Sequence, residues 1–300
     1  MRIFSQLLAG RVFAGLALAG ALIPVGCAHA ADGELVVRDR FSDEIVGRGP
    51  DLVFIPGLAS SRDTWKATAT RLKDHYRLHL IQVAGFAGEP ARANAQGPVL
   101  APTAEAIAAY LEERHLSPAT VIGHSLGGTM ILYLAERHAA DLKKALIVDS
   151  VPFFATVRMG PNATAAQAAP IADAMRSGRS KMTDAESAQM MASMATAQAD
   201  RDMISLWSKA SDPSALANAL ADDLTLDLRP GLAAISTPIT IVYPDYVPLG
   251  VPKGATDGTY HAVWAGAKAV TFVPVAASLH FVMLDQPAQF NAALDAFLAQ

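Results

Sequence analysis

Cysteine is almost absent from this chain of 300 residues, which contains only Cys27. That residue lies in an N-terminal segment with the features of a removable export signal. After removal, the chain would have no disulfide bond and no thiol nucleophile. Cys and His residues also do not occur together at the spacing of a zinc site. We therefore expect neither a metal nor a cofactor.

Basic stripes and internal repeats are lacking as well. Lys and Arg number 24 against 28 Asp and Glu, and the positive charges are not concentrated in any segment. A nucleic-acid partner is therefore not expected. No repeat of fixed period occurs, so the sequence does not predict a solenoid or a propeller.

Residues 1–30 resemble a bacterial-type export signal. Arg2 and Arg11 are its only charges, and the apolar run from Val12 to Val25 is too short for a membrane span. Ala28-His29-Ala30 has the small-x-small pattern of a cleavage site. The sequence predicts an exported protein, periplasmic or secreted, with cleavage near Ala30.

Two alternatives to simple export remain. Cys27 could carry a lipid anchor, although Pro24 stands where such a signal usually has leucine. The segment could also stay attached as an anchor helix. Cleavage would leave 270 residues with a formal charge of −6, because Arg2 and Arg11 are lost from a chain of charge −4. That length is enough for one large core, without a stable membrane span.

Beyond the signal, short apolar runs alternate with helical patterns. Runs such as Leu52–Ile55 and Ala145–Val148 are typical of strands buried on both faces of a parallel sheet. Residues 34–46 favour a hairpin at an edge of that sheet. The alternation predicts an α/β fold with a doubly wound, mostly parallel sheet.

The strand pattern disappears between residues 150 and 237. This segment is rich in alanine and holds seven of the ten methionines. It predicts a helical cap (150–237) inserted into a core formed by residues 31–149 and 238–300. A cap of this composition favours an apolar, adaptable pocket, although the methionines could equally pack between cap helices.

The motif Gly123-His124-Ser125-Leu126-Gly127 has the pattern G-x-S-x-G. A β-branched run precedes it and a helical pattern follows, as a nucleophile elbow requires. Glycines at positions 123 and 127 remove side chains where strand and helix crowd together. Ser125 is the candidate nucleophile, and the backbone N–H of Leu126 is a candidate oxyanion donor. The alternative is a glycine-rich loop with an incidental serine.

A serine nucleophile needs a base and an acid that orients the base. In proteins with a nucleophile elbow, the acid follows the serine along the chain, and the histidine follows the acid. His280, which follows an apolar strand, is the candidate base, and packing or capping is its alternative role. Asp245 is the preferred acid because it follows the strand at 239–243. Asp149, at the end of the preceding strand, is the alternative.

Either aspartate could instead cap a helix or a turn. The second oxyanion donor is expected from the loop after the first buried strand. There, the backbone N–H of Leu58 follows Pro56-Gly57.

The chain from about Asp51 to Gln300 resembles the α/β-hydrolase fold superfamily. The resemblance is carried by the elbow motif, by Phe54-Ile55-Pro56-Gly57-Leu58, and by His280-Phe281 leading to Asp285-Gln286-Pro287. It implies a helical cap after the sixth strand and serine-type chemistry. Serine at the elbow argues against the relatives that need aspartate there, haloalkane dehalogenases and epoxide hydrolases.

The sequence departs from the superfamily at three positions. Pro56 stands where many members have histidine, and Ala84 replaces a frequent aspartate. Members with a G-x-x-D acid would align that carboxylate near Val247.

The resemblance and the motifs together predict a carboxylesterase-like serine hydrolase. Its expected substrate is a small or medium apolar acyl ester, cleaved through an acyl-enzyme intermediate. A peptidase, a C–C bond hydrolase and an acyltransferase could use the same triad. A catalytically silent binding protein is the alternative from another class. The sequence indicates no oligomeric state.

Overall fold

The computed structural model describes residues 33–179 and 183–300. The predicted export signal, with its cleavage site near Ala30, lies outside the described residues. Within the described ranges, no helix is both long enough and apolar enough to cross a membrane.

One sheet runs through the described part of the chain. Its strands are β1 (Glu34–Val37), β2 (Phe41–Gly47), β3 (Asp51–Ile55), β4 (Arg77–Val83), β5 (Ala119–His124), β6 (Leu142–Val148), β7 (Ile239–Pro244) and β8 (Val270–Val275). The spatial order is β1-β2-β4-β3-β5-β6-β7-β8. Strands β3 to β8 are parallel, whereas β2 pairs antiparallel with both β1 and β4. The predicted mostly parallel sheet is therefore confirmed.

Helices follow most of the strands, as the βαβ pattern requires. They are α1 (Lys66–Leu72), α2 (Leu100–Glu113), α3 (Leu126–Arg137), α4 (Ala155–Met159), α5 (Ala165–Arg176), α6 (Asp184–Met194), α7 (Gln198–Ala210), α8 (Pro213–Thr225), α9 (Ala255–Val263), α10 (Val282–Asp285) and α11 (Pro287–Leu298).

The sheet has a hydrophobic core on each face. Along β3, Val53 and Ile55 belong to one core, together with residues of α2 and α3. Leu52 and Phe54 belong to the other core, together with residues of α1 and α11. Because successive side chains of a strand point to opposite faces, a strand buried on both sides must be apolar throughout. This explains the uninterrupted apolar run that predicted β3.

Helices α4 to α8 lie between β6 and β7, which confirms a helical cap after the sixth strand. Threonine begins both α5 and α6 with a capping box, formed by Thr164 with Gln167 and by Thr183 with Glu186. Buried alanines of α5 and α8 share a small third core. Side chains this small allow α5 and α8 to pack closely against each other.

Candidate active site

Ser125 lies at the turn between β5 and α3. Its backbone has φ 51° and ψ −120°, a conformation that residues with side chains rarely adopt. Strand β5 ends at His124 and α3 begins at Leu126, so the reversal is completed within this one residue. This is the sharp strand-to-helix turn of a nucleophile elbow.

The glycines around Ser125 are required by close backbone packing. A Cβ atom on Gly127 would lie 2.4 Å from the carbonyl oxygen of Ile55, and one on Gly123 would lie 2.6 Å from that of Gly127. Both distances are shorter than any real Cβ contact, so no larger residue fits without moving the backbone. The spacing G-x-S-x-G follows from this geometry.

His280 contacts the carboxylate of Asp149. Its Nδ1 atom lies 2.5 Å from Oδ2 of Asp149, which directly follows β6. The side chain of His280 is 19% exposed and that of Asp149 is 6% exposed. His280 lines one cavity together with Ser125. In the described part of the chain, no hydrogen bond joins the Ser125 hydroxyl to the His280 imidazole.

Two tyrosines complete the surroundings of Asp149. Tyr246 donates a hydrogen bond to Oδ2 at 2.7 Å, and Tyr260 donates one to Oδ1. Burial alone would raise the pKa of the Asp149 carboxyl. The charge and hydrogen bond of His280, together with the two tyrosine hydroxyls, instead hold that pKa below its ordinary value. Asp149 is therefore ionised and able to stabilise a protonated imidazole. Neither tyrosine can be recognised from the sequence, because each interaction depends on distant parts of the chain.

In the part of the chain that the structure describes, no hydrogen bond or ion pair joins Asp245 to His280, contrary to the preference drawn from the sequence. Its Oδ1 atom accepts a hydrogen bond from the backbone N–H of Val247 at 3.1 Å, and it thereby caps the turn after β7. The next residue, Tyr246, has φ 53°, which allows its hydroxyl to reach Asp149. The loop after β7 thus supplies a tyrosine to the carboxylate rather than the carboxylate itself. The alternative acid, Asp149, is the one that the structure brings to His280.

The loop that carries His280 is held by His124 of the elbow and by helix α6 of the cap. The Nε2 atom of His124 lies 3.0 Å from the carbonyl oxygen of His280. From above, the backbone N–H groups of His280 and Phe281 donate to the carbonyls of Ser193 and Met194, at the end of α6. The cap therefore helps to position the imidazole.

His124 is fully buried beside His280, with ring centroids 4.5 Å apart. Burial, reinforced by the nearby His280, lowers the pKa of His124 to about 3. A neutral ring is consistent with an N–H donor at Nε2, which is the atom that faces the His280 carbonyl. His124 thus supports the histidine loop as well as the turn.

The two candidate oxyanion donors lie in segments next to the serine. Leu126 begins α3, so its N–H has no partner within the helix. On the other side, a Cβ atom on Gly57 would lie 3.1 Å from Cβ of Ser125, so the loop after β3 passes directly against the serine. Leu58 follows in that loop and is partly buried against the core.

The cavity at Ser125 has a volume of about 80 Å³. Its apolar wall includes Val151, Phe154 and Val157, and Asp223 of the cap helix α8 also lines it. None of the methionines in the described part of the cap lines this cavity, and Met191 and Met194 pack instead against a core of the sheet. For Met191 and Met194, packing is therefore the role that the structure shows, which is the alternative that the sequence left open. Among the described residues, His, Cys, Asp and Glu do not form a group of three or more able to hold a metal ion.

Comparison with curated proteins finds relatives over part of the chain. A pimeloyl-[acyl-carrier protein] methyl ester esterase of Vibrio vulnificus (strain YJ016) is 35% identical over 109 residues. These residues make up 36% of this chain and 40% of the relative, so the match spans less than half the length of that protein.

Solved structures match over nearly the whole chain. A hydrolase from Pseudomonas aeruginosa PA01 superimposes with a TM-score of 0.70 at 19% identity, covering 90% of this chain and 100% of the other. The enol-lactonase from Burkholderia xenovorans LB400 superimposes with a TM-score of 0.67 at 16% identity, covering 86% and 97%. At such identities the likeness shows the fold alone. The sequence model described as "Alpha/beta hydrolase family" matches residues 52–293. The chain therefore belongs to the α/β hydrolase family.

Proposed function

We propose that this protein is a serine hydrolase that cleaves a carboxylic ester of a short acyl chain through an acyl-enzyme intermediate. The observation that carries the proposal is the contact of 2.5 Å between His280 and Asp149 beside a serine on a strained elbow. The family membership supports hydrolysis. The partial match to methyl ester esterases favours an ester as the bond that is cleaved.

In the acylation step, the Oγ atom of Ser125 attacks the ester carbonyl carbon while His280 takes the hydroxyl proton on Nε2. Asp149 holds the Nδ1–H group and stabilises the positive charge of the imidazolium. The N–H groups of Leu58 and Leu126 bind the negative charge that develops on the carbonyl oxygen. His280 then gives its proton to the departing alkoxide, and the alcohol leaves.

Deacylation repeats this sequence with water as the nucleophile. His280 removes a proton from the water, whose oxygen attacks the acyl carbon. The tetrahedral intermediate collapses, Ser125 recovers its proton from His280, and the carboxylic acid is released. The hydrogen bond from Ser125 to His280 is expected to form as substrate binds, since such bonds often tighten only in the complex.

The volume of the cavity limits the length of the acyl chain. About 80 Å³ accommodates only a few non-hydrogen atoms, so a short acyl chain is favoured over a medium one. The valines and the phenylalanine of the wall provide an apolar contact for that chain. We also propose that the protein is exported to the periplasm or the medium. The sequence of residues 1–30 supports this localisation.

Hydrolysis of p-nitrophenyl acetate and butanoate by the full chain tests the proposal. The wild type is expected to release p-nitrophenol, and Ser125→Ala to be slower by about 10⁴-fold in kcat. Ser177→Ala is a matched control, because this exposed serine lies in the cap and its hydroxyl bonds to the carbonyl of Asp173. Equal rates for Ser125→Ala and the wild type would refute the proposal.

A further inference from the structure

Asp223 is a buried carboxyl group in the wall of the cavity at Ser125. It lies on α8 of the cap, is 8% exposed, and lines the cavity together with Ser125 and His280. In the described part of the chain, its Oδ1 atom is buried and has no hydrogen-bond partner. The proposed hydrolysis does not use Asp223, since Asp149 already orients the imidazole.

The neighbouring aspartate, Asp222, is paired, in contrast to Asp223. Asp222 accepts hydrogen bonds from the backbone N–H groups of Val99 and Leu100, at 2.7 and 3.1 Å. It also pairs with Arg176 at 2.8 Å. One aspartate therefore joins the cap to the core, whereas the next projects into the cavity.

Asp223 receives little compensation from the protein. The hydroxyl of Thr129 acts on the Asp223 carboxyl, but its oxygen also lies 3.1 Å from that of Ser150. Burial raises the pKa of Asp223 to about 7, and the negative charge of Asp222 adds to the rise, while Thr129 opposes it only in part. A buried carboxyl with an unpaired oxygen is costly, so it is rarely retained without a role.

The charges around the cavity favour a positively charged ligand. Its ionisable lining groups are Asp149, Asp223, His280 and two tyrosines, and none of the described lining residues is Lys or Arg. A carboxylate on the substrate would meet Asp223 without a counter-ion. An ammonium group would supply both the hydrogen-bond donors and the positive charge that Asp223 lacks.

We propose that Asp223 is a specificity-determining residue that binds a primary ammonium group at the end of a short acyl chain of the substrate. The preferred substrates are therefore esters of small amino acids whose amine lies a few atoms from the scissile carbonyl. The amine belongs to the acyl part because that part stays on Ser125, inside the cavity, after the alcohol has left. This inference rests on the proposed ester hydrolysis.

Three ethyl esters of equal length test the inference. Ethyl butanoate, ethyl 3-hydroxypropanoate and the ethyl ester of β-alanine differ only in the terminal group, which is methyl, hydroxyl or ammonium. At about pH 8, an alkyl ammonium is still charged and Asp223, with a pKa of about 7, is ionised. We expect the wild type to prefer the β-alanine ester over the butanoate by about tenfold or more in kcat/KM.

Two variants of Asp223 and one control complete the design. Asp223→Asn should abolish the preference for the ammonium ester, and Asp223→Leu should reverse it in favour of the butanoate. Asp222→Asn, a change of the same size on the same helix, should keep the wild-type preference. Circular dichroism and thermal unfolding verify that each variant is folded. A wild type that shows no preference for the ammonium ester, or an Asp223→Asn variant that keeps it, would overturn the inference.

Binding to Ser125→Ala separates this inference from the proposed function. Calorimetric titration with the β-alanine ester and with the butanoate measures the ammonium preference without catalysis. Hydrolysis of the esters without any such preference would remove the role of Asp223 and leave the hydrolase intact. Absence of hydrolysis, with an ammonium preference in binding that Asp223→Asn abolishes, would remove the proposed function and leave the ammonium site.

Discussion

The carboxylate of Asp149 lies 2.5 Å from Nδ1 of His280, although 131 residues separate the two along the chain. The acid of the candidate triad thus follows β6, next to the elbow strand β5, rather than β7. Asp149 itself has φ 45°, and its backbone N–H donates to Val242 of β7 at 2.8 Å. This backbone conformation at the end of β6 directs the Asp149 side chain toward the cavity, which it lines.

Replacement of the two candidate acids is expected to have very different effects. Asp149→Asn removes the charge that stabilises the imidazolium, so kcat for p-nitrophenyl acetate should fall by about 10³-fold or more. Asp245→Asn changes only a turn cap and should leave kcat within about twofold of the wild type. Steady-state kinetics of the two variants show whether Asp149 or Asp245 is the acid. A large loss in Asp245→Asn and none in Asp149→Asn would contradict the proposed acid.

Removal of the Tyr260 hydroxyl is expected to weaken the support of Asp149. Tyr260→Phe leaves an oxygen of a buried carboxylate without its donor, which should lower the free energy of unfolding by about 1–3 kcal/mol. It should also reduce kcat, but by less than Asp149→Asn does. Urea denaturation and kinetics measure both effects. Tyr243→Phe is the control, because that hydroxyl bonds to the half-exposed Asp257. Equal effects of the two variants would argue against a special role for Tyr260.

Crowding at the elbow gives a prediction about stability. Gly127→Ala would place a methyl group 2.4 Å from the backbone oxygen of Ile55, so the free energy of unfolding should fall by about 3 kcal/mol. Gly266→Ala is the control, since its nearest contact would be the Leu232 side chain at 3.4 Å. That change should cost less than about 1 kcal/mol. Denaturant unfolding of both variants tests the difference, and a Gly127→Ala protein as stable as the wild type would contradict the packing described for the elbow.

Asp223 should make the stability depend on pH in an unusual direction. Burial raises its folded-state pKa to about 7 from an ordinary value of 3.8. Between these values the unfolded chain has released the proton and the folded chain retains it, so stability falls as the pH rises. The charged groups near it are Asp222 on its own helix, and Asp149 and His280 across the cavity.

Asp223→Asn is expected to raise the free energy of unfolding by an amount that depends on pH. The variant should be more stable than the wild type at pH values above about 7, and the gain should shrink toward pH 4. Asp222→Asn should show no such gain, because it loses the pair with Arg176. Thermal unfolding across this range measures the difference. A gain from Asp223→Asn that is largest at low pH would contradict the buried, uncompensated state of the carboxyl.

Local signals were enough to predict the fold and two residues of the candidate triad. Three patterns can each be recognised within a few residues of sequence: the apolar run of β3, the glycine spacing around Ser125, and the position of His280 after the last strand. Such constraints are visible in the sequence. The order of elements then indicated a doubly wound sheet with an inserted cap.

The acid and the cavity wall could not be predicted in the same way. Asp149 and Asp245 both follow strands, and the difference between them depends on the backbone of Asp149 and on the hydroxyl of Tyr246, which arrives from another loop. Asp222 and Asp223 are adjacent, and nothing in the sequence of α8 indicates which of them faces the cavity. These features arise from tertiary contacts between distant segments.

The reaction of Ser125 with a fluorophosphonate, followed by intact-protein mass and peptide mapping, tests the central claim most directly. We expect a single adduct on Ser125 that forms rapidly in the wild type and in Asp245→Asn, and at least about 100-fold more slowly in Asp149→Asn. No adduct on Ser125, or one that forms equally fast without the Asp149 carboxylate, would contradict a nucleophile activated by His280 and Asp149.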